Sequence, residues 1–441
     1  MTNPMNHQEA KDILGNFLPA DSLSLIKVEV FRLSWEGKGY NHVADETGYD
    51  HDYVRKAGSQ LWKELTSKFD TSVTKRNFRP LLEEQLVKLS SQRTLQLEYP
   101  GGAMSFSSPF YIERTEEESR VYREILQPGS VVRIKGPRKM GKSSLMLRVL
   151  DQAESEGFGV VTIDLLQADH AILSDIDRLL RWLCHNICAQ LKLDESPDDN
   201  WNELIGSKLS CSNYIHSILQ QRDTPLVLVL KELNQVFDYE QVSRDFLPLL
   251  RSWFEESKHS DDMKKLRQVL VYSTEVYVQL DLNLSPFNIG LPIELQFFNG
   301  QQLEQLAQVY GFNWRADGTV SSPITVMLTE LGGHPYLCQL ALYHLASQDG
   351  LLESPSKALQ EFLVTGADVG GIYSDFLQQL HEDIVNNERA INGFNKLHGG
   401  EADKLSRIET YQLERLGLAR LMNGQAKTTS RLLSDYLKTV L

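Results

Sequence analysis

The strongest chemical signal in this sequence is the run Gly136-Pro137-Arg138-Lys139-Met140-Gly141-Lys142-Ser143. Its spacing is G-x-x-x-x-G-K-[ST]. A glycine at each end lets the backbone close around an anion, so that its N–H groups point inward. The lysine brings a positive charge, and the serine hydroxyl can bind Mg²⁺. These residue types at this spacing predict a phosphate-binding loop (P-loop), with binding residues from Gly136 to Ser144.

The flanking sequence has the elements that this chemistry needs. Val131–Ile134 is a short β-branched run, typical of a buried strand. A helix is predicted from Ser143 to about Glu156, and its N-terminus would present partial positive charge to phosphate oxygens. Lys142 is expected at the β- and γ-phosphates and Ser143 at Mg²⁺. ATP or ADP, with Mg²⁺, is therefore the predicted cofactor.

Three further apolar runs follow at helix-length intervals, which are Val160–Ile163, Leu226–Leu230 and Val269–Tyr272. Short apolar runs of this kind are typical of parallel strands that are buried on both faces. They predict an α/β fold in which helices flank a parallel sheet. No strand is expected in the core after about Gly290.

The residues that follow Leu226–Leu230 depart from what rapid hydrolysis requires. An Asp that orders Mg²⁺ is expected there, followed by an acidic residue that polarises water. The sequence has Lys231 and then Glu232. Glu232 can serve as the base, whereas Lys231 would compete with Mg²⁺ or form an ion pair with a phosphate or with Glu232. Nucleotide binding with slow or absent hydrolysis is predicted.

Polar residues also follow the run Val269–Tyr272, namely Ser273 and Thr274. The carboxyl edge of such a sheet faces the ligand, so Ser273 could sense the γ-phosphate. Capping of the next helix is an equal alternative. Arg251 and Arg267 could stabilise transition-state charge, but a surface or structural role is favoured for each.

The first 92 residues read as a helical domain. Predicted helices at Tyr40–Thr47 and Asp50–Lys68 enclose a tight turn, which is a helix-turn-helix pattern. The second helix displays residues that suit DNA, and more cations follow it: Arg55, Lys56, Ser59, Gln60 and Lys63, then Lys75, Arg76 and Arg79. Asp50 and Asp52 at its start would repel phosphates. Protein docking is favoured, and DNA contact stays open.

The sequence after residue 295 predicts helices and one hairpin. Helical segments are Gln301–Tyr310, Ile324–Leu331, Pro335–Ser347, Lys357–Thr365 and Ser374–Asn387. A helix at Leu405–Leu413, a hairpin around Asn423-Gly424 and a last helix at Ser430–Val440 predict a winged helix. The expected domains are 1–92 (helix-turn-helix), 93–108 (linker), 109–295 (core), 296–370 (helical lid) and 371–441 (winged helix).

Composition limits the compartment and the partners. The net charge of −14 argues against a protein that coats nucleic acid or an anionic membrane. No run approaches the ~20 apolar residues that span a bilayer, and the N-terminus has no signal-peptide pattern. Four cysteines are too few for a disulfide framework. A cytoplasmic protein without membrane contact is expected.

Several more motifs occur in order along the chain: residues 107–114, 246–253, 273–277, 285–290 and 332–336. With the P-loop, they closely resemble the AAA-like domain proteins common in cyanobacteria, a branch related to STAND signalling ATPases and archaeal ATPases. The likeness covers about residues 100–441. Residues 20–85, with the motif from Ser34 to Lys38, look like the N-terminal helix-turn-helix domain of vWA-MoxR-associated proteins.

The resemblance implies a regulatory switch in a signalling or conflict (defence) system, built from nucleotide core, lid and winged helix. Gly333-His334-Pro335 matches the Gly-x-Pro motif of the lid, which implies that His334 contacts a phosphate. A plain helix start is the alternative. With no effector visible, a protein partner in trans is implied, and a homo-oligomer is open. The alternative function is a nucleotide-controlled DNA-binding protein.

Overall fold

The computed structural model describes residues 14, 17–18, 22–69, 71–82, 97–274, 286–312, 314, 322–347, 355–368, 370–385, 387–422 and 424–441. The chain forms two compact units, Met1–Gln96 and Leu97–Leu441. Within the described ranges, no helix has both the length and the apolar character needed to cross a bilayer.

The first unit is helical, as predicted. Its helices are α1 (Leu25–Trp35), α2 (Tyr40–Thr47) and α3 (His51–Phe69). Gly48 ends α2 in the left-handed conformation, with φ at 72°. The Asp50 carboxylate then accepts hydrogen bonds from the backbone of Asp52 and Tyr53 and caps α3. The tight turn and the cap together produce the helix-turn-helix.

The second unit is built on a five-stranded parallel sheet with the order β2-β3-β4-β1-β5. Its strands are β1 (Val131–Gly136), β2 (Gly159–Asp164), β3 (Leu226–Lys231), β4 (Leu266–Ser273) and β5 (Leu291–Glu294). Every residue of β4 is buried, as expected for a strand covered on both faces. The parallel sheet is confirmed.

The expectation that strands end near Gly290 is wrong, because Leu291–Glu294 forms β5. This strand pairs in parallel with β1, from Val132 against Leu291 to Lys135 against Glu294. It lies at the sheet edge, so only Ile293 is buried. A proline is tolerated there because one side of an edge strand needs no ladder hydrogen bonds. The sequence of β5, Leu-Pro-Ile-Glu, alternates apolar residues with a proline and a glutamate, so it has no apolar run that would predict a strand.

Helices cover the sheet on both faces. They are α4 (Thr115–Ile125), α5 (Lys142–Ser155), α6 (His170–Leu173), α7 (Ile176–Leu191), α8 (Ser207–Gln220) and α9 (Glu240–Glu256). Short 3₁₀ turns lie at Leu165–Gln167, Pro197–Asn200, Leu233–Asp238, Met263–Lys265, Pro286–Asn288 and Ala402–Lys404. Both apolar layers of the core lie between these helices and the strands.

The C-terminal part is mostly helical. The range predicted for the lid, 296–370, begins with three helices: α10 (Gly300–Val309), α11 (Pro323–Glu330) and α12 (Pro335–Ala346). They are followed by α13 (Pro355–Thr365), α14 (Ser374–Val385), α15 (Glu388–His398), α16 (Arg407–Arg415), the hairpin β6 (Ala419–Met422) and β7 (Gln425–Thr428), and α17 (Arg431–Val440). Helix α15 was not predicted. The helix, hairpin and helix at the end make the predicted winged helix.

Candidate functional site

The predicted P-loop connects β1 to α5. Its last glycine, Gly141, has φ at 96° and stands at the N-cap of α5. Lys139 is also left-handed, with φ at 58°. These two bends turn the loop back on itself ahead of a 14-residue helix. The free N–H groups and the dipole at the helix start then point toward one anion site.

The ammonium of Lys142 lies inside this loop. Its Nζ atom donates to the carbonyls of Gly136 (2.9 Å) and Pro137 (2.8 Å), and it lies 3.4 Å from Ser273 Oγ. The side chain is buried, although carbonyl dipoles are weaker partners for a cation than an anionic oxygen is. The charge is therefore placed where a phosphate would bind it better than its present partners do.

The loop forms one wall of a cavity of about 550 Å³. The lining includes the loop from Arg138 to Ser144, the segment around Met104, and side chains of the lid and of α14. Among the described residues, four cations and one carboxylate line it: Arg114, Arg138, Lys139, Lys142 and Glu232. This excess of positive charge suits a polyphosphate.

Arg114 is a site residue that the sequence analysis missed. Its guanidinium is 4% exposed and donates to the carbonyls of Met140 (2.9 Å) and Gln296 (3.3 Å), while lying over the ring of Phe298. Burial lowers the pKa of Arg114 from its usual value, although arginine stays charged at neutral pH. Arg114 ends the motif at residues 107–114, but that motif does not indicate a role, so its contact with the loop is what reveals it.

Part of the predicted linker forms a wall of the cavity. Lys139 Nζ donates to the carbonyl of Gly101 (2.9 Å), and the backbone N–H of Met104 donates to Ser144 Oγ (2.9 Å). Arg148 of α5 holds the same segment through the carbonyl of Ser105 (3.1 Å). Residues 100–104 therefore lie against the P-loop, and the Ser144 hydroxyl has a partner in the protein.

The end of β4 brings Ser273 to the site, as predicted. Its hydroxyl faces Lys142, and its backbone N–H donates to Oδ1 of Asn234 (3.0 Å), a buried residue that also lines the cavity. Thr274 lies differently, since its hydroxyl donates to the carbonyl of Arg415 (2.8 Å). The helix that Ser273 was alternatively expected to cap would lie in 275–285, outside the described residues.

Of the lid motif, Pro335 lines the cavity whereas His334 does not. The His334 ring is 2% exposed, packs against Phe297 and Phe376, and has no partner at Nδ1. Burial, the largest influence, lowers its pKa to about 3, against a hydrogen bond to the backbone of Arg138 that raises it. His334 thus supports the P-loop from behind as a neutral ring.

Lys231 has a partner that was not predicted. Its Nζ lies 2.6 Å from Oδ2 of Asp164 at the end of the neighbouring strand β2, and not at Glu232. Asp164 follows its apolar run directly, just as Lys231 does, and this shared position could have revealed the pair. Glu232 adopts the left-handed conformation (φ 53°) and lines the cavity.

Ser143, the predicted Mg²⁺ ligand, is among the residues that line the cavity. Mg²⁺ in nucleotide sites is usually held by one or two carboxylates together with phosphates and water. Here the last position of β3 is Lys231, which is paired with the carboxylate of Asp164, and Glu232 follows it. Within the described part of the chain, no group of three His, Cys, Asp or Glu residues could hold a metal.

The winged-helix region closes one side of the cavity. Arg138 of the P-loop forms an ion pair with Asp383 of α14 (3.2 Å), and Gln379 of the same helix lines the cavity. A Cβ added to Gly417 would lie 3.4 Å from Pro137. The P-loop therefore contacts both α14 and the turn before the hairpin.

Arg251 and Arg267 have structural partners, as the favoured interpretation held. Arg251 pairs with Glu255 on α9 (2.7 Å). Arg267 is buried, lies over the ring of Phe158 and donates to the carbonyl of Lys264. Neither lines the cavity.

In the helix-turn-helix unit, the five polar residues predicted on α3 (Arg55, Lys56, Ser59, Gln60, Lys63) are all exposed. Lys75 and Arg79 are engaged instead. Lys75 donates to the carbonyl of Lys38 (2.5 Å), and burial lowers its pKa. Arg79 lies over the ring of Trp35. Lys75 is therefore partly buried, whereas Arg76 and Arg79 are exposed.

Fold and site together define an α/β P-loop domain of the ATPase type, joined to a lid and a winged helix. The sequence agrees with that class. Residues 99–439 match the family model of the AAA-like domain, so the chain belongs to this family. Residues 5–85 match the vWA-MoxR associated protein N-terminal HTH. No curated protein matches the chain.

Solved structures with a similar fold include proteins of three organisms. A Walker-type ATPase of Pyrococcus abyssi is 13% identical, with 74% of this chain and 96% of that chain covered and a TM-score of 0.49. The ORC2 protein of Aeropyrum pernix is 16% identical, with 77% of this chain and 98% of that chain covered and a TM-score of 0.43. Cdc6p of Pyrobaculum aerophilum is 14% identical, with 77% of this chain and 97% of that chain covered and a TM-score of 0.37. Similarity this low carries no inference about ligands or partners.

Proposed function

We propose that this protein is a nucleotide-dependent regulatory switch, which binds ATP or ADP at the P-loop and hydrolyses ATP slowly or not at all. One observation carries the proposal. The P-loop side chain Arg138 is paired with Asp383 of the winged-helix region, 245 positions further along the chain. A ligand that binds the guanidinium of Arg138 therefore competes with Asp383 and weakens the contact between the core and the winged-helix region.

The physical basis is competition for one cation. A phosphate presents several anionic oxygens and binds guanidinium in a bidentate manner, so it is a stronger partner than the single carboxylate of Asp383. Binding of a triphosphate would draw Arg138 toward the cavity and weaken its bond to α14. Thr274 and Pro137 contact the same region, so a change at α14 would extend to the hairpin.

Slow hydrolysis follows from the groups around Glu232. We assign Glu232 as the base, because it is the carboxylate that lines the cavity among the described residues. A base alone gives little rate without a positioned metal or a charge that stabilises the transition state. Arg251 and Arg267 do not supply that charge. Lifetime of the bound nucleotide, rather than turnover, would set the state of the switch.

The setting of the switch is proposed from the family resemblance. A STAND-like protein in a signalling or defence system would act on an effector in trans, and self-association is a further option. The domain boundaries given by the sequence remain predictions. We propose one change to them: residues 100–108 belong functionally to the core, because Gly101 and Met104 contact the P-loop and the start of its helix.

Thermal melting tests this proposal. ADP or ATP at ~100 times its dissociation constant should stabilise the protein by ~2.7 kcal/mol. Lys142→Ala should abolish the stabilisation, whereas Lys264→Ala, at a partly exposed lysine that does not line the cavity, should keep it. No stabilisation of the wild-type protein by either nucleotide would refute nucleotide binding.

A second candidate function is nucleotide-controlled DNA binding. The exposed row Arg55, Lys56, Ser59, Gln60 and Lys63 on α3 favours it, since such residues can contact bases and phosphates. Exposed Asp52 beside Arg55 opposes it. A gel-shift titration in salt decides: affinity that falls steeply with salt and is lost in Lys56→Glu supports DNA binding. No shift at low salt excludes it.

A further inference from the structure

Two ion pairs join neighbouring strands at the carboxyl edge of the sheet. Asp164 and Lys231 are direct partners in the β2–β3 register, and Nζ lies 2.6 Å from Oδ2. Lys135 and Glu294 are direct partners in the β1–β5 register, at 2.8 Å. The first pair stands at the position where P-loop ATPases keep a carboxylate for Mg²⁺.

The Asp164 carboxylate is committed on both of its oxygens. Oδ2 accepts from Lys231, and Oδ1 accepts from the backbone N–H of Leu166 at 3.2 Å. Both side chains are mostly buried, with 24% of Lys231 and 20% of Asp164 exposed. A carboxylate that already has a cation and an amide donor gains little from a further cation.

The cavity also has its own means of neutralising phosphate. Arg114, Arg138, Lys139 and Lys142 line it against the one carboxylate of Glu232. That is an excess of three positive charges among the described lining residues. A nucleoside diphosphate carries about as much negative charge as this excess of positive charge, so the side chains of the cavity can neutralise its phosphates.

From these observations we infer that the site binds ADP or ATP without a divalent cation, with the four side-chain cations taking the place of Mg²⁺. The Asp164–Lys231 pair contributes to this preference, because it puts a cation at the last position of β3 and occupies the carboxylate of Asp164. The inference rests on the proposed nucleotide binding and specifies its metal requirement.

Calorimetric titration of the full-length protein with ADP tests it directly, once in excess Mg²⁺ and once in EDTA. The two dissociation constants should agree within about tenfold, equivalent to about 1.4 kcal/mol. Binding that weakens in EDTA by more than this overturns the inference alone. Absence of heat in both conditions removes the proposed nucleotide binding instead, so the two failures are distinguishable.

A charge exchange provides the variant test. Asp164→Lys combined with Lys231→Asp retains an ion pair while placing the carboxylate at the end of β3. This variant should become Mg²⁺-dependent, with ADP binding at least about tenfold tighter in Mg²⁺ than in EDTA. The matched control, Lys135→Glu with Glu294→Lys, exchanges the other interstrand pair and should bind as the wild type does.

Equal binding by the exchanged variant in Mg²⁺ and EDTA would show that the pair does not set the metal requirement, and would overturn that part of the inference. Circular dichroism and melting establish whether each variant is folded. Should the exchanged variant not fold, the wild-type titration still decides whether binding needs a metal.

Discussion

At the residue scale, three of the four cations of the candidate site donate to backbone carbonyls, whereas Arg138 pairs with Asp383. Lys142 donates to Gly136 and Pro137, and Arg114 donates to Met140 and Gln296. Carbonyl partners position a cation without neutralising its charge. The loop thus keeps its positive potential while its side chains are already oriented, which lowers the entropy that phosphate binding must overcome.

His334 should make stability depend on pH. Its folded pKa is about 3 because of burial, whereas an unfolded histidine titrates near 6.5. The unfolded chain therefore gains a proton first, and the free energy of unfolding falls as pH drops below 6.5. Between pH 7 and 5 this group should account for a loss of about 2 kcal/mol, measured by urea titration.

The control for this prediction is the slope of the free energy of unfolding against pH in two variants. His334→Gln should reduce the pH dependence even though it also lowers stability, because the titrating ring is gone. His259→Gln, at an exposed histidine, should leave the dependence unchanged. An unaltered slope in His334→Gln would contradict the assignment.

Residues that the sequence could identify are those whose chemistry is local. The P-loop from Gly136 to Ser143 is one contiguous motif, so its place between strand and helix followed from pattern alone. Arg114 and Asp164 escaped because their partners lie on other elements. His334 was assigned to the phosphate by family likeness, which does not report which side of the loop a ring contacts.

At the element scale, β5 depends on a close approach at Gly290. This residue has φ at 65°, and a Cβ there would lie 2.1 Å from the carbonyl oxygen of Val131. Gly290→Ala must therefore displace β1 or β5. We expect it to lower the free energy of unfolding by at least about 3 kcal/mol, measured by denaturant titration.

Gly311→Ala separates the two causes of that loss. Gly311 is also left-handed, with φ at 89°, but has open space around its Cβ position. It should lose only about 1 kcal/mol, from backbone strain. If both variants lost the same free energy of unfolding, the close approach of Gly290 to Val131 would contribute nothing to the stability of the fold.

Helix α14 is predicted to restrain the P-loop through one carboxylate. Asp383→Asn removes a negative charge 3.2 Å from Arg138, so ADP and ATP should bind more tightly. The gain should be about twofold to fivefold, since the pair is partly exposed. Calorimetric titration measures it. Glu382→Gln, an exposed neighbour on the same helix, should have no effect, and weaker binding by Asp383→Asn would contradict the model.

Element patterns show where prediction from one sequence succeeds. Four strands were found because each contains a short apolar run, and Leu226–Lys231 is the clearest of them. Edge strand β2 alternates buried and partly buried residues but keeps such a run. β5 was missed since an edge strand of four residues carries one buried side chain. Helix α15 (Glu388–His398) lacked a strong apolar run, because three of its residues supply the buried face.

At the scale of the whole molecule, the two compact units should respond differently to nucleotide. The P-loop cavity lies within Leu97–Leu441, and the helix-turn-helix lies within Met1–Gln96. Scanning calorimetry should resolve two transitions, of which ADP raises only the one that belongs to the larger unit. Hydrogen exchange would assign each transition.

Lys142→Ala is the internal control for that experiment, because it should remove the ADP effect without altering the transition of the smaller unit. If ADP raised both transitions equally, the units would be coupled in folding, and the two-unit description would fail as an energetic statement.

The contacts of Gly101 and Met104 with the P-loop bear on where the protein can be shortened. A fragment that starts at residue 109, the boundary suggested by sequence, would discard one side of the cavity along with the N-terminal unit. A fragment that starts at residue 97 would retain it. Truncation studies that used only the shorter fragment would thus mistake a missing wall for a regulatory influence of the helix-turn-helix.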